Sequence, residues 1–565
     1  MISRINPSNG SQPLPAALKN VVYSDYSVRL AANETGHTCI KYTFNDFWHN
    51  DTPYGQKGYS IFNLPGAGII TNTGMPMLPR EGIFVALPSN AEFESVEVTT
   101  ARQTTLNGTY DILPAPHPVL EGEPMEFIPH AEVYGSDGEY PTSPVEYVDT
   151  KTVMGVSCAH ILLCPMKYAP KSKKITVLWE IELRVNYKYT DGNGVQAITN
   201  RSLAPMLLGY TDTCSDPPAS PRILIVTNKT INCTDDQHAD TPMDHYILVK
   251  QKRYTVYVKL LEDIVSQYPD CSTVEAIYQY VTMEHQGSPI GHLIFGGDVN
   301  NIPTAMADDA TDPTEPPFAS DSYYCMDTKS GQYTPDFSVS RFPASTPGEL
   351  REQCELAADY SKYYTELRKS AVFTTYNQSN YEQCKDAICV AINHSDIGFT
   401  IKKCYDGKCT KQGLINAIES GEGFINYRGH GDVYCWQSSI GLNNFDVSKL
   451  AIGHDTPHVL SLACNNNAIH YYPDLCFGSA WIRRLKAVSF LGASAPSYTV
   501  VNDCFDQYLW EAIYHDKLTV IGEIFLKATT MLYKNNPSGQ TYTNIKEFLL
   551  LGDSTADYLE VDSGK

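Results

Sequence analysis

The chain has 565 residues, too many for one compact core, so two to four domains are expected. Its formal charge of −22 excludes a general binder of nucleic acid or anionic membranes, which needs Lys and Arg to neutralise phosphates. Hydrophobic residues at 42% and charged residues at 19% are ordinary globular usage, and the absence of any run of about 18 apolar residues excludes a membrane-spanning helix.

The first stretch, MISRINPSNGSQPLPAALKN, lacks the apolar centre of a signal peptide. Sixteen cysteines and nine N-glycosylation sequons, at Asn9, Asn33, Asn50, Asn107, Asn200, Asn228, Asn232, Asn377 and Asn393, point instead towards secretion. A start trimmed of its signal reconciles the two and favours the secretory pathway; taken literally, the sequence is cytoplasmic. The cysteines follow no regular disulfide framework and no paired CxxC zinc spacing, so disulfides stay open and no metal ligand is assigned.

Residues 1 to about 205 read as β-rich, with segments such as GIFVALP, FESVEVTTA and KKITVLWEIELRVNYKY punctuated by Pro, Gly and Asn, as antiparallel strands joined by turns require. A Pro-, Ser- and Asp-rich stretch at 210–222 marks the main boundary. Beyond it short apolar strands alternate with helical stretches, the pattern of a parallel sheet covered by helices on both faces. RILIVTN, HLIFGGD and DFSVSRF read as strands and TVEAIYQYVTMEHQ and PGELREQCELAADYSKYYTEL as helices. Strands KDAICVAI and TIKKCYD, helix TKQGLINAIESG and strands GFINYRG and HVLSLAC follow. The expected division is a β-rich domain and linker over 1–220, a first α/β subdomain over 221–385 and a second over 386–565.

In an open parallel sheet, ligands bind at the carboxyl ends of the strands. His430 follows the apolar run FINY and Cys464 follows HVLSLA, so both are expected on one rim. The 34 residues between them hold a loop, a short helix and a new strand, which is what a crossover between neighbouring parallel strands needs. A thiol facing an imidazole suits nucleophilic attack on an amide, with Cys464 as nucleophile and His430 passing its proton to the leaving amine. Gly429 and Gly431 allow a sharp turn and close approach of substrate backbone, and the N–H groups of Gly431 and Cys464 are the expected oxyanion hole. The histidine-before-cysteine order is the reverse of the papain-like arrangement.

These motifs resemble the gingipain family of cysteine peptidases, which have a caspase-like fold. NYRGHG is similar to the family's histidine motif, and SLACNNN with CFGSAWIRR to its nucleophile and following helix. HLIFGGDVNNIP, SDSYY, FSVSRFPAST and KKCYDGK are similar to family segments in the same order, and FLLLGDSTADY resembles the closing motif with Ser554 in place of proline. The stretch NLPGAGIITNTGMPMLPREGIFVALP is similar to the family's β-rich propeptide. The resemblance implies a caspase-like αβα sandwich behind a β-rich prodomain, and the zymogen of a cysteine endopeptidase acting on protein or peptide substrates, with cleavage after basic residues as the family's option. By position, His394 falls where the family has the acid that orients the histidine. Asp396 is the nearest acid to the specificity position, and Tyr498 and Thr499 stand where a tryptophan walls the pocket. No cofactor is required; structural calcium is a family feature. The alternative is a weak or inactive pseudopeptidase serving as an interaction or surface protein. Among basic residues near loops, Arg201 and Arg222 are the expected activation cuts, ahead of Lys171 and Lys174.

Overall fold

A computed structural model describes residues 2–6, 10–13, 26–34, 36–64, 66–191, 198–199, 201–210, 221–234, 237–363, 366–453, 455–471 and 476–559. The front of the chain is built from antiparallel strands, as alternation and turn residues predict. The 16-residue strand Lys174–Tyr189 is its spine, pairing with Met166–Ala169, His37–Phe44 and Ala91–Thr105. A second sheet runs Val145–Val153, Val156–Leu163, Pro79–Ala86 and Leu207–Leu208. Inward-facing residues of both, among them Tyr42, Ile161, Trp179 and Ile181, share one buried core, because successive side chains of a strand point to opposite faces.

From Arg222 onward ten strands form one sheet. In spatial order they are Thr255–Leu260, Arg222–Thr227, His292–Gly296, Ser338–Phe342, Phe548–Gly552, Ser489–Ala493, His458–Leu462, Phe424–Arg428, Ser370–Thr375 and Thr400–Tyr405. Neighbours are parallel except where Phe548–Gly552 meets Ser489–Ala493. The sheet thus has two halves whose strands run in opposite directions. Residues alternate between faces: Ile223 and Ile225 pack under helix Pro347–Asp359, whereas Leu224 and Val226 join the core on the other side. Burial on both faces explains why these strands are nearly continuous apolar runs.

Two expectations are corrected. KDAICVAI is not a strand; it lies within helix Ser379–His394, whose buried Tyr381, Cys384, Ile388 and Ile392 recur at helical spacing. The strand in that region is Ser370–Thr375, which pairs with both Thr400–Tyr405 and Phe424–Arg428. The division set at 385/386 therefore falls inside a helix, and the second half of the sheet starts with Ser370. Arg222, ranked as an activation cut for its loop-like surroundings, opens the first strand of the sheet as RILIVTN predicts, and there it is buried and ion-paired with Glu284. Arg201 opens the short helix Arg201–Met206. The rest of the 210–222 stretch, residues 211–220, lies outside the described residues.

The front domain docks onto the helical layer through helix Ile521–Asn535. Gly82 N–H donates to Asn535 Oδ1 (2.9 Å), Asn535 Nδ2 donates to Gly66 O (3.1 Å), and Glu81 pairs with Lys534 (2.9 Å). Phe84, Val153 and Cys158 enter the same apolar core as Leu532 and Tyr533. A Cβ on Gly82 would lie 1.8 Å from the carbonyl oxygen of Lys534, so only glycine permits this approach.

Candidate active site

Strands Phe424–Arg428 and His458–Leu462 are parallel neighbours, with Arg428 opposite Leu462. His430 and Cys464 each stand two residues beyond that pair, so they occupy one rim. The two loops touch: a Cβ on Gly431 would lie 2.5 Å from the carbonyl oxygen of Cys464 and 2.8 Å from Ala463 Cβ. Gly429 has φ 153°, and a Cβ there would stand 2.5 Å from Tyr376 Cβ, so the turn into His430 requires glycine. Asn465 takes φ 59°, a left-handed conformation that asparagine tolerates. Asn466 then braces the two loops, its Nδ2 donating to the carbonyls of Asp432 (2.7 Å) and Cys435 (3.2 Å). Tyr427 Oη donates to the His430 carbonyl at 2.8 Å and fixes the histidine's backbone.

The imidazole of His430 is flanked edge-on by Tyr376 and Tyr381. Its Nε2 lies 3.4 Å from Gln378 Nε2, and its Nδ1 is buried without a hydrogen-bond partner. Burial holds this histidine below its ordinary pKa; Glu121 acts to raise it and Arg428 to lower it. The Cys464 sulfur accepts from Ser497 N–H at 3.2 Å. Burial and the Glu121 carboxylate push the thiol up to about 12, against the hydrogen bonds from Ser497, so it is protonated in this state.

The front domain reaches this rim. Leu120 forms an antiparallel bridge with Tyr498, Glu121 N–H donates to Ser497 O (2.8 Å) and Thr499 N–H donates to Val119 O (3.1 Å). A Cβ on the next residue, Gly122, would stand 3.4 Å from His430 Nδ1. The Glu121 side chain is fully buried and paired with Arg428 at 2.5 Å. Arg428 is held on its other side by Asp503, through Nε at 2.8 Å, and by the carbonyl of Thr499 at 2.8 Å.

The remaining expectations divide. Thr499 lines the site, whereas the Tyr498 side chain turns away to donate to Asp309 (3.0 Å). His394 does not reach His430: it ends the helix whose first turn holds Tyr381, about 20 Å further along the axis at about 1.5 Å per residue, with Nδ1 bonded to Val390 O and its ring against Trp48. Asp396 is 85% exposed and ion-paired with Lys517, a surface role at the same distant end. Sequence reasoning missed Gln378, Glu121, Arg428, Tyr381 and Asn502. The last three lie in or beside apolar helix and strand patterns, where the period signals a core. Among the described residues no group of three or more His, Cys, Asp or Glu side chains is arranged to hold a metal ion. No helix among them is long and apolar enough to cross a membrane.

The fold and rim define an α/β protein of caspase-like architecture whose Cys–His edge is covered by its own N-terminal β domain. The chain belongs to peptidase family C25: that family's model matches residues 216–558, and the C25 propeptide model matches residues 23–214. It is 22% identical over 503 residues to gingipain R2 of Porphyromonas gingivalis, covering 84% of this chain and 65% of that protein. It is also 22% identical over 516 residues to Lys-gingipain of the same organism, covering 83% and 28%. The chain thus spans less than two thirds of the length of these curated relatives. The crystal structure of the Arg-specific cysteine proteinase gingipain R is similar in fold, with a TM-score of 0.52 at 19% identity over 62% of this chain and 81% of that one.

Proposed function

We propose that the chain is the latent form of a cysteine endopeptidase. The Cys464 sulfur attacks the carbonyl carbon of the scissile amide as its proton passes to His430. The N–H groups of Gly431 and Cys464 receive the oxyanion, where one such donor is worth roughly 2.7–4 kcal/mol of barrier. His430 gives the proton to the departing amine, and water, deprotonated by His430, hydrolyses the thioester to a free carboxylate and the thiol. The observation that carries this reading is the strand-like run Val119–Gly122 laid across the rim as a bound peptide would lie, with Gly122 against His430 and Glu121 bonded to Ser497, whose N–H holds the Cys464 sulfur. It also supports latency, since the covered thiol is neutral and shielded.

A weak or inactive pseudopeptidase is favoured by one observation: the neutral amide of Gln378, not a carboxylate, faces His430 Nε2. The two readings separate in a peptide-hydrolysis assay on the full chain before and after limited proteolysis between the two domains. The peptidase reading expects hydrolysis to appear after the cut and to vanish in Cys464→Ala; no Cys464-dependent hydrolysis in either form contradicts it. The relatives are named for Lys and Arg, and the same assay with basic substrates tests whether that preference extends to this chain.

A further inference from the structure

The segment that covers the rim also fills a pocket, and the chemistry of that pocket is specific. Resting on the peptidase reading above, we infer that the enzyme cleaves after acidic residues, glutamate foremost, and that Glu121 occupies the pocket as the substrate's side chain would.

Three observations combine. The first is register. Glu121 N–H bonds to Ser497 O and, two residues earlier, Val119 O accepts from Thr499 N–H. This is the alternation of an added antiparallel strand. It brings the peptide bond after Glu121 to His430, beside which Gly122 lies. Glu121 is therefore the residue before the position where attack would occur. The second is the lining. Glu121 Oε2 accepts from Arg428 Nη1 (2.5 Å) and Asn502 Nδ2 (2.9 Å), and Oε1 accepts from Tyr381 Oη and from Thr499 Oγ1 (3.4 Å). Four donors converge on one carboxylate whose side chain has no exposed area. The third is permanence. Arg428 does not depend on Glu121 for its position, because Asp503 and the Thr499 carbonyl hold it from behind. Asp503 Oδ1 accepts from Arg428 Nε, on the guanidinium's other side from the Nη1 that donates to Glu121.

A substrate arginine or lysine would set a second cation against Arg428 in a dry pocket, where like charges repel far more than in water. An aspartate is one methylene short of the four donors. A glutamine keeps the shape and loses the charge, and its NH2 would meet donors where an acceptor is needed.

The experiment measures labelling rates at Cys464 with peptidyl acyloxymethyl ketones differing only in the residue at the reacting position: Glu, Gln, Asp, Arg or Lys. The protein is the full chain, tested as Glu121→Ala, as Glu121→Gln, and as wild type after limited proteolysis, so that one poorly folded form does not decide the result. The Glu reagent is expected to label Cys464 at least about a hundredfold faster than the Arg or Lys reagents, as sites built to hydrogen-bond one polar group discriminate. Faster labelling by Arg or Lys overturns the inference and leaves the nucleophile intact. So does labelling by iodoacetamide with no preference among the peptidyl reagents. If no reagent modifies Cys464 in any form, the peptidase reading falls and takes this one with it.

Discussion

The carboxylate of Glu121 and the guanidinium of Arg428 are 307 residues apart in sequence and form a completely buried ion pair between the N-terminal domain and the ten-stranded sheet. Burying both charges is costly, and the pair is stable only because Tyr381, Asn502, Thr499 and Asp503 complete its hydrogen bonding. Such a pair is a poor source of net stability but a specific lock.

Glu121→Ala should open that lock. Removing one partner of a buried pair typically costs about 3–5 kcal/mol, here charged against docking of the segment. Iodoacetamide modification of Cys464 in the uncut chain should rise at least about tenfold, read by peptide mass mapping. An unchanged rate would show that the segment does not limit access.

Gln378 is expected to act through His430 as a positioning residue. For Nδ1 to accept the thiol proton, Nε2 must carry its hydrogen and donate it to the Gln378 amide oxygen, which rotation of that amide supplies. Gln378→Glu places a negative charge there and raises the histidine's pKa, so the acid limb of kcat/KM should move up by about one pH unit, with a higher plateau. Gln378→Ala should lower kcat with the acid limb left nearly in place. A pH profile of the three proteins checks both.

Gly431→Ala would force a Cβ to within 2.5 Å of the Cys464 carbonyl oxygen. The two loops must separate, and a misplacement of about 1 Å costs on the order of a hundredfold in rate. The expected outcome is loss of turnover with urea stability lowered by only about 1–3 kcal/mol.

Lys385 and Asp506 form a second buried pair, both wholly inaccessible, with Asn426 accepting from Lys385 and from Trp510 (2.8 Å). Lys385→Met leaves the carboxylate unpaired and should destabilise the α/β domain by about 3–5 kcal/mol. The double variant Lys385→Met with Asp506→Leu should recover most of the loss, as urea midpoints would show.

The rim was legible because its signals are local. An apolar run ending in Gly429-His430-Gly431 and another ending at Cys464 each mark a strand terminus, and one crossover length makes them neighbours. Helix Ser379–His394 was not, because the window KDAICVAI is shorter than two and a half turns; the stripe emerges only when Tyr381 and Cys384 are included, and Lys385 interrupts it with a charge that Asp506 neutralises from afar. By position in the resemblance His394 falls where the family has its orienting acid and Asp396 nearest its specificity acid, but helix Ser379–His394 carries both to the far end of the domain. Gln378 does not ionise, so a search for acids passes over it. Glu121 lies in a polar loop, LEGEP, that looks like solvent-facing chain; its meaning depends on Arg428, which pairing across the whole fold alone brings to it.

The most direct test is a thiol-reactivity map of the full chain before and after limited proteolysis between the two domains. Cys464, 6% exposed on the rim that the Val119–Gly122 segment crosses, should be unreactive in the intact chain and become the fastest-labelled cysteine once the front domain is released, in a manner lost in His430→Ala. If Cys464 stays no more reactive than the half-buried cysteines such as Cys233, Cys271 and Cys435 after release, or if His430→Ala labels as fast as wild type, Cys464 and His430 are not the working pair.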